Sequence, residues 1–435
     1  MSYELIITGK TVLTMADGAA PLEDGAVAVV GGLIAAVGPA AEIRAAAGRA
    51  RVIDVGDGIV LPGFVNTHTH LAMTLMRGLA DDLRLKEWLE KHIWPAEARV
   101  MSGDNVALGS RLAAAESLLA GVTCICDQYF HAERVIEAVT GLGLRAVVAE
   151  ALIDFPTPSS RTPEEALSRQ RDLLDRFRQH PLVISAVAPH TPYSVSAPNL
   201  VKEAELAEEY GALLLIHVAE TRWEVDTITA EKGVSPVTYL ADLGVLSERT
   251  VAAHCVHVTE EDLDTLLEFD VAVSSNPVSN LKLASGIAPL PQMLSKGLRV
   301  GLGTDGAASN NTLDLLRDAQ LAALMYKGLT KDPTCMPARQ VVELLTRGGA
   351  SALGLGDRLG SLEPGKKADI VCLATEQPRA FPRFDAYSHI AYAARAADVA
   401  HVVVDGRVVV EDGRLLTADV AELRRAVHAA VDERR

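Results

Sequence analysis

The residues in this chain that are best suited to chemistry are two histidines separated by one threonine, His68 and His70. Side chains two residues apart on an extended strand point the same way, so both imidazoles can reach one ion. Three further candidates, His217, His254 and Asp305, each end a later apolar run. Imidazoles and a carboxylate suit Zn²⁺, and Fe²⁺ or Mn²⁺ would accept the same ligands. We therefore expect one divalent metal site with an open position for water.

Two carboxylates accompany these histidines. Glu220 follows His217 by three residues, and a carboxylate just past a metal ligand can move protons between bound water and substrate. The alternative for Glu220 is an exposed glutamate with no chemical role. Asp305 ends the otherwise apolar run 298–305, where a buried and unpaired carboxylate would be costly. Partnership with a cation is the favoured explanation for Asp305.

Two other patterns imitate known motifs. Residues 301–306 fit GxGxxG, but no acidic residue follows at the required distance and no Rossmann unit surrounds them. Residues 131–133, His-Ala-Glu, resemble the HxE of cytidine-type zinc deaminases, but the PCxxC pair of that fold is missing. We interpret both patterns as accidental.

A framework must bring these distant residues together. Eight apolar, strand-like runs alternate with helical stretches, which predicts parallel strands. The runs cover residues 58–66, 121–127, 144–150, 182–190, 212–218, 250–256, 271–276 and 298–305. Eight such units predict an α/β fold of the (β/α)8 TIM-barrel type, with its chemistry at the C-terminal ends of the strands. Polar side chains stand at those ends: His68, His70, Asp127, Glu150, His190, His217, His254, Asn276 and Asp305.

Both ends of the chain have a different character from the middle. They alternate short β-type runs with glycine-rich turns, and Asp405-Gly406 between two valine runs predicts a hairpin. We predict a small β-sandwich domain from residues 1–60 and 361–420, a catalytic barrel from 61–360, and a C-terminal helix at 421–435.

The composition limits the partners. The chain has 435 residues, 49% of them hydrophobic, and a formal net charge of −16, which disfavours binding to nucleic acid. Five cysteines do not suggest a disulfide framework, and neither a secretory signal nor an apolar run of membrane-spanning length is evident. We expect a cytoplasmic protein that binds a small molecule and neither nucleic acid nor membrane.

Several motifs resemble a known family. The segments LPGFVNTHTH, HVAET, AAHCVH and GLGTDGAASNN are similar to the amidohydrolase superfamily over nearly the whole chain. Longer segments resemble the 5-methylthioadenosine/S-adenosylhomocysteine deaminases within it: HLAMTLMRGLADDLRLKEWL, IWPAEARV, APHTPYS and SSNPVSNLKLASGIAPL. The resemblance implies hydrolytic deamination of an adenine nucleoside to the hypoxanthine nucleoside and ammonia. Methylthioadenosine is the preferred candidate substrate, and adenosine and S-adenosylhomocysteine are the alternatives.

The resemblance also implies roles for individual residues. It implies that one divalent metal ion, with zinc as the preferred candidate, is bound by four ligands: His68, His70, His217 and Asp305. Asp305 would take the proton of the attacking water, Glu220 would protonate the ring nitrogen, and His254 would hydrogen-bond the water and stabilise the tetrahedral intermediate. Binuclear relatives carry a carbamylated lysine at the fourth strand, whereas this strand ends in Pro189-His190, which favours a single ion. A homo-oligomer is compatible with the family.

The same resemblance implies a substrate site. Glu97 matches the position expected to bind the ribose hydroxyls, His190 matches a second binding position, and Trp88 either lines the pocket or packs in the core. Some members carry arginines after the third strand; this chain has Glu150 there, and Arg161 is the only obvious substitute. We therefore predict a lower kcat/KM for S-adenosylhomocysteine than for methylthioadenosine.

Two alternatives remain open. A triazine or aminopyrimidine hydrolase could use the same barrel, although a ribose-binding Glu97 would have no purpose for a small bare ring. A non-catalytic scaffold would be expected to lack some of the ligands, and here all four are present with Glu220 and His254 beside them.

Overall fold

The computed structural model describes residues 3–432. Its strands are β1 (Leu5–Val12), β2 (Leu22–Val30), β3 (Leu33–Pro39), β4 (Arg51–Asp54), β5 (Ile59–Pro62), β6 (Phe64–Thr69), β7 (Val122–Tyr129), β8 (Arg145–Leu152), β9 (Val183–Pro189), β10 (Leu214–Val218), β11 (Thr250–His254), β12 (Ala272–Ser275), β13 (Val300–Leu302), β14 (Ile370–Leu373), β15 (Val399–Val404), β16 (Arg407–Glu411) and β17 (Arg414–Leu415).

The helices lie mainly between the strands of the middle region. The α-helices are Ala40–Ala45, Leu85–Trp88, Trp94–Val100, Gly103–Leu119, Ala132–Leu142, Pro163–Arg176, Ala197–Tyr210, Arg222–Lys232, Pro236–Asp242, Glu260–Glu268, Pro277–Lys282, Leu290–Lys296, Ala307–Asn310, Leu315–Thr330, Ala338–Glu343, Gly349–Ala352, Ala386–Tyr392 and Val420–Asp432. Short 3₁₀ turns (Leu71–Met76, Pro378–Ala380, Ala396–Asp398) and two π-helical turns (Leu89–Ile93, Leu344–Gly348) complete the set. Within residues 3–432, no helix combines the length and apolar character that crossing a membrane requires.

The strands β6 to β13 form a parallel barrel in the order in which they occur along the chain. At the seam the backbone N–H of Asp305 donates to the carbonyl of His68 over 3.0 Å, which joins the end of β13 to β6. Small and apolar side chains from the strands fill the interior: Val65, Cys124, Cys126, Val147, Ala149, Ala186, Ala188, Leu215, Val251 and Ala272. The eight predicted strands are found, and the predicted TIM barrel is confirmed.

The first predicted strand proves to be two strands in different sheets. The run 58–66 contains β5, which pairs with β1 and β14, and the start of β6, which pairs with β7 in the barrel. Gly63 separates them, and a Cβ there would lie 2.0 Å from Oγ1 of Thr123. A side chain at this crossing would collide with β7, so glycine is the residue that lets the chain change sheets.

The remaining nine strands form one mixed sheet built from both ends of the chain. One edge of β1 pairs with β2, and the other is shared by β4 and β5, so the sheet divides there. The sheet encloses its own apolar core with side chains from both chain ends, among them Ile7, Val27, Val60, Ile370 and Val403. The predicted β domain from both termini is confirmed, and Asp405-Gly406 is the hairpin turn between β15 and β16.

A buried ion pair fastens this sheet to the barrel. Arg145 at the start of β8 is 2% exposed, and its Nε and Nη2 donate to the two carboxylate oxygens of Asp369 over 2.8 and 2.9 Å. Losing one partner would leave a buried charge uncompensated, so the pair defines how the two parts dock. At the other end of the chain, the helix Val420–Asp432 overlaps the predicted C-terminal helix, and residues 433–435 of that prediction lie outside the described residues.

Candidate active site

Four side chains from three separate strand ends converge at the mouth of the barrel. Oδ1 of Asp305 lies 3.2 Å from Nε2 of His70 and 3.5 Å from Nε2 of His68. Nε2 of His217 lies 3.4 Å from Nε2 of His70. Ligands bound tetrahedrally at zinc–nitrogen distances of about 2.05 Å would be about 3.3 Å apart, which these separations match. The four residues predicted from the sequence as a ligand set are therefore brought together.

Backbone carbonyls fix the orientation of two of these imidazoles. Nδ1 of His70 donates to the carbonyl of Gln128 over 2.6 Å, and Nδ1 of His217 donates to the carbonyl of His190 over 2.8 Å. A proton on Nδ1 leaves a lone pair on Nε2, so both rings direct lone pairs to the same point. Nε2 of His68 is also buried and has no hydrogen-bond partner among the described residues.

This donor set fits a divalent cation. Burial lowers the pKa of His68 to about 4 and that of His217 well below its usual value, which keeps both rings neutral, as metal ligands must be. Burial opposes a charge on His70, but its hydrogen bond with Asp305 raises the pKa of that imidazole to about 9. The lone pairs of these ring nitrogens and of the carboxylate are directed at one buried point, which is unfavourable unless a proton or a cation lies between them. A divalent cation would compete with a proton for that point.

The Asp305 carboxylate is held by two hydroxyl groups. Its Oδ2 accepts from Oγ of Ser279 over 2.6 Å and from Oγ of Ser309 over 2.8 Å, which leaves Oδ1 directed at the imidazoles. Burial alone would raise the pKa of Asp305, but its contacts with His68 and His70 lower it well below the ordinary value. The carboxylate is therefore ionised and positioned to accept a proton or bind a cation.

A second acid–base pair lies beside the cluster. Oε1 of Glu220 accepts from Oγ of Ser285 over 3.1 Å, and its Oε2 lies 3.8 Å from Nε2 of His254. Burial raises the pKa of Glu220, which favours the protonated acid. Nδ1 of His254 donates to Oδ1 of Asn280 over 2.8 Å, so its Nε2 faces the cavity.

Backbone strain turns His254 into the site. In β11, Val251 belongs to the barrel interior and Ala252 to the outer layer, so regular alternation would point His254 outward. His254 instead has a φ of 73°, in the left-handed region that costs a non-glycine residue about 1–2 kcal/mol. Such strain persists only where the surrounding structure enforces it, and it concentrates at functional sites.

The helical segment after β6 closes the cavity from above. The side chains of Trp88, Trp94 and Glu97 line it, and the π-helical turn Leu89–Ile93 lies between the first two. Trp88 is 4% exposed and both lines the cavity and packs in the core, with its Nε1 donating to the carbonyl of Ala80.

Two further buried groups line the same cavity. Oε1 of Glu97 accepts from the hydroxyl of Tyr129 over 2.7 Å, and burial raises the pKa of Glu97 to about 7. His190 also lines the cavity; burial lowers its pKa to about 3, and its Nδ1 is 3.0 Å from Oγ of Ser194. At neutral pH, His190 is thus a neutral donor or acceptor.

Three polar residues highlighted by the sequence do not reach the cavity. Oδ1 of Asp127 accepts from the backbone N–H of Leu71, and the carboxylate of Glu150 accepts from the N–H of Ala132 at the start of a helix. Arg161 is exposed before the helix Pro163–Arg176 and does not line the cavity, and its backbone N–H donates to the Glu165 carboxylate. We therefore do not place Arg161 in the substrate site.

Other residues that shape the site were missed by the sequence reasoning. The carboxylate of Glu224 accepts from the N–H groups of Ala219 and Glu220 over 2.8 and 2.9 Å, and so holds the turn that carries Glu220. The helix Pro277–Lys282 provides Ser279 and Asn280, but short polar side chains in so short a helix have no spacing that reveals their partners. Gln128 was detectable, since it is a polar residue on the inward-facing side of an apolar strand.

Comparisons with known proteins agree with this geometry. The sequence model of the amidohydrolase family matches residues 59–409. The chain is 45% identical over 424 residues to a protein of Syntrophobacter fumaroxidans named 5-methylthioadenosine/S-adenosylhomocysteine deaminase, covering 98% of this chain and 97% of that relative. It is 43% identical over 382 residues to a 5′-deoxyadenosine deaminase of Methanothermobacter thermautotrophicus, covering 88% and 89% of the two chains.

Solved structures give the same architecture. The crystal structure of an adenosine deaminase from Xanthomonas campestris with bound zinc superposes with a TM-score of 0.95 at 37% identity, covering 99% of this chain and 98% of that chain. An atrazine chlorohydrolase from Arthrobacter aurescens TC1 complexed with zinc gives a TM-score of 0.92 at 28% identity, covering 98% and 100%.

Proposed function

The chain belongs to the amidohydrolase family and is a hydrolytic deaminase, and we propose that its preferred substrate is 5-methylthioadenosine, which it converts to the hypoxanthine nucleoside and ammonia. The observation that carries this proposal is the convergence of His68, His70, His217 and Asp305 on one point that faces a buried carboxyl, Glu220. The names of the relatives, which act on 5′-modified adenosines, support this choice of substrate.

We assign the four converging residues to a single zinc ion. The two zinc-bound structures with similar folds favour that metal, and three imidazoles with one carboxylate suit it. The fourth strand contributes Pro189 and His190 at its end rather than a bridging lysine, which favours one ion. The chemistry that such an ion supplies is Lewis acidity, which lets a water molecule ionise near neutral pH.

The protein's own residues then move the protons. Oδ1 of Asp305 accepts a proton from the attacking water, while Ser279 and Ser309 keep Oδ2 occupied. Glu220, whose pKa is raised by burial, donates a proton to the ring nitrogen beside the amino-bearing carbon. Nε2 of His254 hydrogen-bonds the water and stabilises the tetrahedral carbon that forms. The amino group takes the proton that Asp305 accepted and leaves as ammonia, and the added hydroxyl returns a proton to Glu220 as the carbonyl forms.

The opposite wall binds the sugar. Glu97 is buried beside Tyr129 and faces the cavity, where its carboxylate can accept hydrogen bonds from the ribose hydroxyls. His190, beside His217, provides a neutral ring that can hydrogen-bond the substrate, and Trp88 provides an apolar surface for the base. A bare triazine has no hydroxyl groups for a buried carboxyl to bind, so Glu97 favours a nucleoside over the triazine alternative.

A larger outer chamber continues from the catalytic cavity and would receive the 5′ substituent. Its volume is about 730 Å³, and it shares Leu85, Leu89, Trp94 and Tyr193 with the inner cavity. The cationic side chains lining it, Lys86 and Lys232, contact acidic neighbours, and no arginine lines it among the described residues. This lining supports our prediction that the methylthio group is preferred to a homocysteine carboxylate.

The test is ammonia release by purified, zinc-loaded protein from methylthioadenosine, adenosine, S-adenosylhomocysteine and a chlorotriazine measured in parallel. We expect the highest kcat/KM for methylthioadenosine, a lower value for S-adenosylhomocysteine, and loss of all release in Asp305→Ala. Equal kcat/KM for the two sulfur nucleosides would remove the specificity proposal. Turnover of the chlorotriazine alone would show that the substrate is not a nucleoside.

A further inference from the structure

Gln128 is a buried glutamine whose side chain has no assigned task. It lines the catalytic cavity, its side chain is 2% exposed, and neither its Nε2 nor its Oε1 has a hydrogen-bond partner among the described residues. Leaving both a buried donor and a buried acceptor unpaired is costly, and native proteins rarely accept this without a reason. A ligand that supplies one acceptor and one donor side by side would satisfy both atoms.

The strand fixes where this amide points. Cys124 and Cys126 belong to the barrel interior, and alternation along β7 places Gln128 on the same side, one step nearer the mouth. The facing residues on β8 are Ala149 and Ala151, which are small and leave space beside the amide. The carbonyl of Gln128 also accepts from Nδ1 of His70, so the residue is anchored directly beside the candidate metal cluster.

The orientation of the base follows from the proposed chemistry, on which this inference rests. Eight strands in chain order place β7 across the barrel from β11, which carries His254 near Glu220. In adenine, N1 and N7 lie on opposite sides of the amino-bearing carbon. If Glu220 protonates N1, then N7 and the five-membered ring face β7. Glu97, which contacts Tyr129 on β7, would then lie near the ribose carried by that ring.

We propose that Gln128 recognises the N7 edge of the adenine ring. Its Nε2–H donates to N7, and its Oε1 accepts from the 6-amino group, which is the donor–acceptor arrangement by which glutamine pairs with adenine elsewhere. The residue is a specificity determinant that touches the substrate and takes no proton. It selects purine rings that carry an acceptor at N7 next to the 6-amino group.

The experiment compares methylthioadenosine with its 7-deaza analogue, in which a C–H replaces N7, in the wild type and in Gln128→Met. Methionine keeps the length of the side chain without its polar atoms. We expect Gln128→Met to reduce kcat/KM for methylthioadenosine about 10- to 100-fold, with a much smaller reduction for the 7-deaza analogue. Where turnover of the analogue is too slow, the competitive inhibition constant is compared instead. Gln128→Glu, which loses the N–H donor, should show the same selective loss.

Gln170→Met is the matched control, because Gln170 is a fully buried glutamine that contacts the carbonyl of Glu150 and does not line the cavity. It should leave the ratio of the two substrates at its wild-type value even if it lowers the melting temperature. An equal loss for both substrates in Gln128→Met, or no loss for either, would overturn the inference while the deaminase assignment stands. A wild type that is inert on both nucleosides would overturn the proposed function itself, and this inference with it.

Discussion

Replacing Ser279 by alanine removes one of the two hydroxyl groups that hold the Asp305 carboxylate. The Ser279 hydroxyl donates to Oδ2 of Asp305 over 2.6 Å, is fully buried, and does not line the catalytic cavity. Its loss therefore cannot act through direct contact with a substrate. The second donor, Ser309, remains at 2.8 Å, so the carboxylate keeps one of its two anchors.

The magnitude follows from the charge on the acceptor. A hydrogen bond to a charged group contributes about 1.5–3 kcal/mol, and about 1.4 kcal/mol corresponds to a factor of ten. If the whole contribution is lost when Asp305 acts, kcat/KM should fall about 10- to 100-fold. Mutations of residues that orient metal ligands cost a similar factor in activity or metal affinity. Zinc affinity should weaken in the same direction, because Asp305 is one of the proposed ligands.

The assay is ammonia release from methylthioadenosine at saturating zinc, together with a zinc titration and the melting temperature. Ser110→Ala is the control: the Ser110 hydroxyl is also fully buried, lies in the helix Gly103–Leu119, and has no hydrogen-bond partner among the described residues. It should leave activity and zinc affinity unchanged. A Ser279→Ala protein with wild-type kcat/KM and wild-type zinc affinity would refute the argument that Ser279 positions Asp305.

Two further predictions concern titrating groups. Burial raises the pKa of Glu97 to about 7, so the carboxyl is protonated below that pH and accepts fewer hydrogen bonds from ribose. The KM of the wild type for methylthioadenosine should rise as the pH falls through about 7. Glu97→Gln should have a high KM that does not change with pH. A wild-type KM that stays constant across this pH range would contradict the role of Glu97 in binding ribose. Away from the site, burial raises the pKa of Glu203 to about 8 from an ordinary 4.5, and the folded protein binds a proton that the unfolded chain releases between these values. The stabilising contribution of the protonated Glu203 is therefore complete below about pH 4.5 and is lost as the pH rises through about 8. Glu203→Gln should raise the melting temperature above pH 8 and leave it unchanged below pH 4.5. The same change in melting temperature at both pH values would exclude titration of Glu203 as the cause.

Much of the framework was predictable because the signals that specify it are local. Each barrel strand is an apolar run bounded by turn residues, and each is followed by a helix, so the parallel order follows from the chain order. The polar residues at the strand ends pointed to the cluster of His68, His70, His217 and Asp305 before any distance was known. The hairpin at Asp405-Gly406 was equally local, since both of its central residues need positive φ values.

The features that escaped prediction depend on contacts made only in the folded chain. The run 58–66 contains Pro62-Gly63, but only the proximity of Thr123 to Gly63 in the folded chain reveals that two sheets meet there. His254 was predicted as a site residue, but the left-handed backbone conformation that turns it inward was not, and alternation alone would have placed it outside the barrel. Ser279 gives no signal of its own, because its partner Asp305 lies 26 residues away along the chain.

Not all of the polar residues at the strand ends reach the active site, because of the geometry of a β-strand. Side chains alternate between the two faces of a strand, so a residue at a strand end can point either into the mouth or into the outer layer. Glu150 points outward, where it caps the helix that begins at Ala132. Its neighbour across the sheet, Tyr129, packs in the outer layer but reaches Glu97 with its hydroxyl. A position at a strand end is therefore not sufficient to identify a site residue.

The most direct test of the account is a zinc titration of metal-depleted protein with ammonia release from methylthioadenosine as the readout. If His68, His70, His217 and Asp305 hold one catalytic ion, activity should be absent without metal and should rise linearly to a plateau at one equivalent of zinc per chain. Full activity without metal, or a plateau that requires two equivalents, would contradict the single-ion deaminase that we infer from this site.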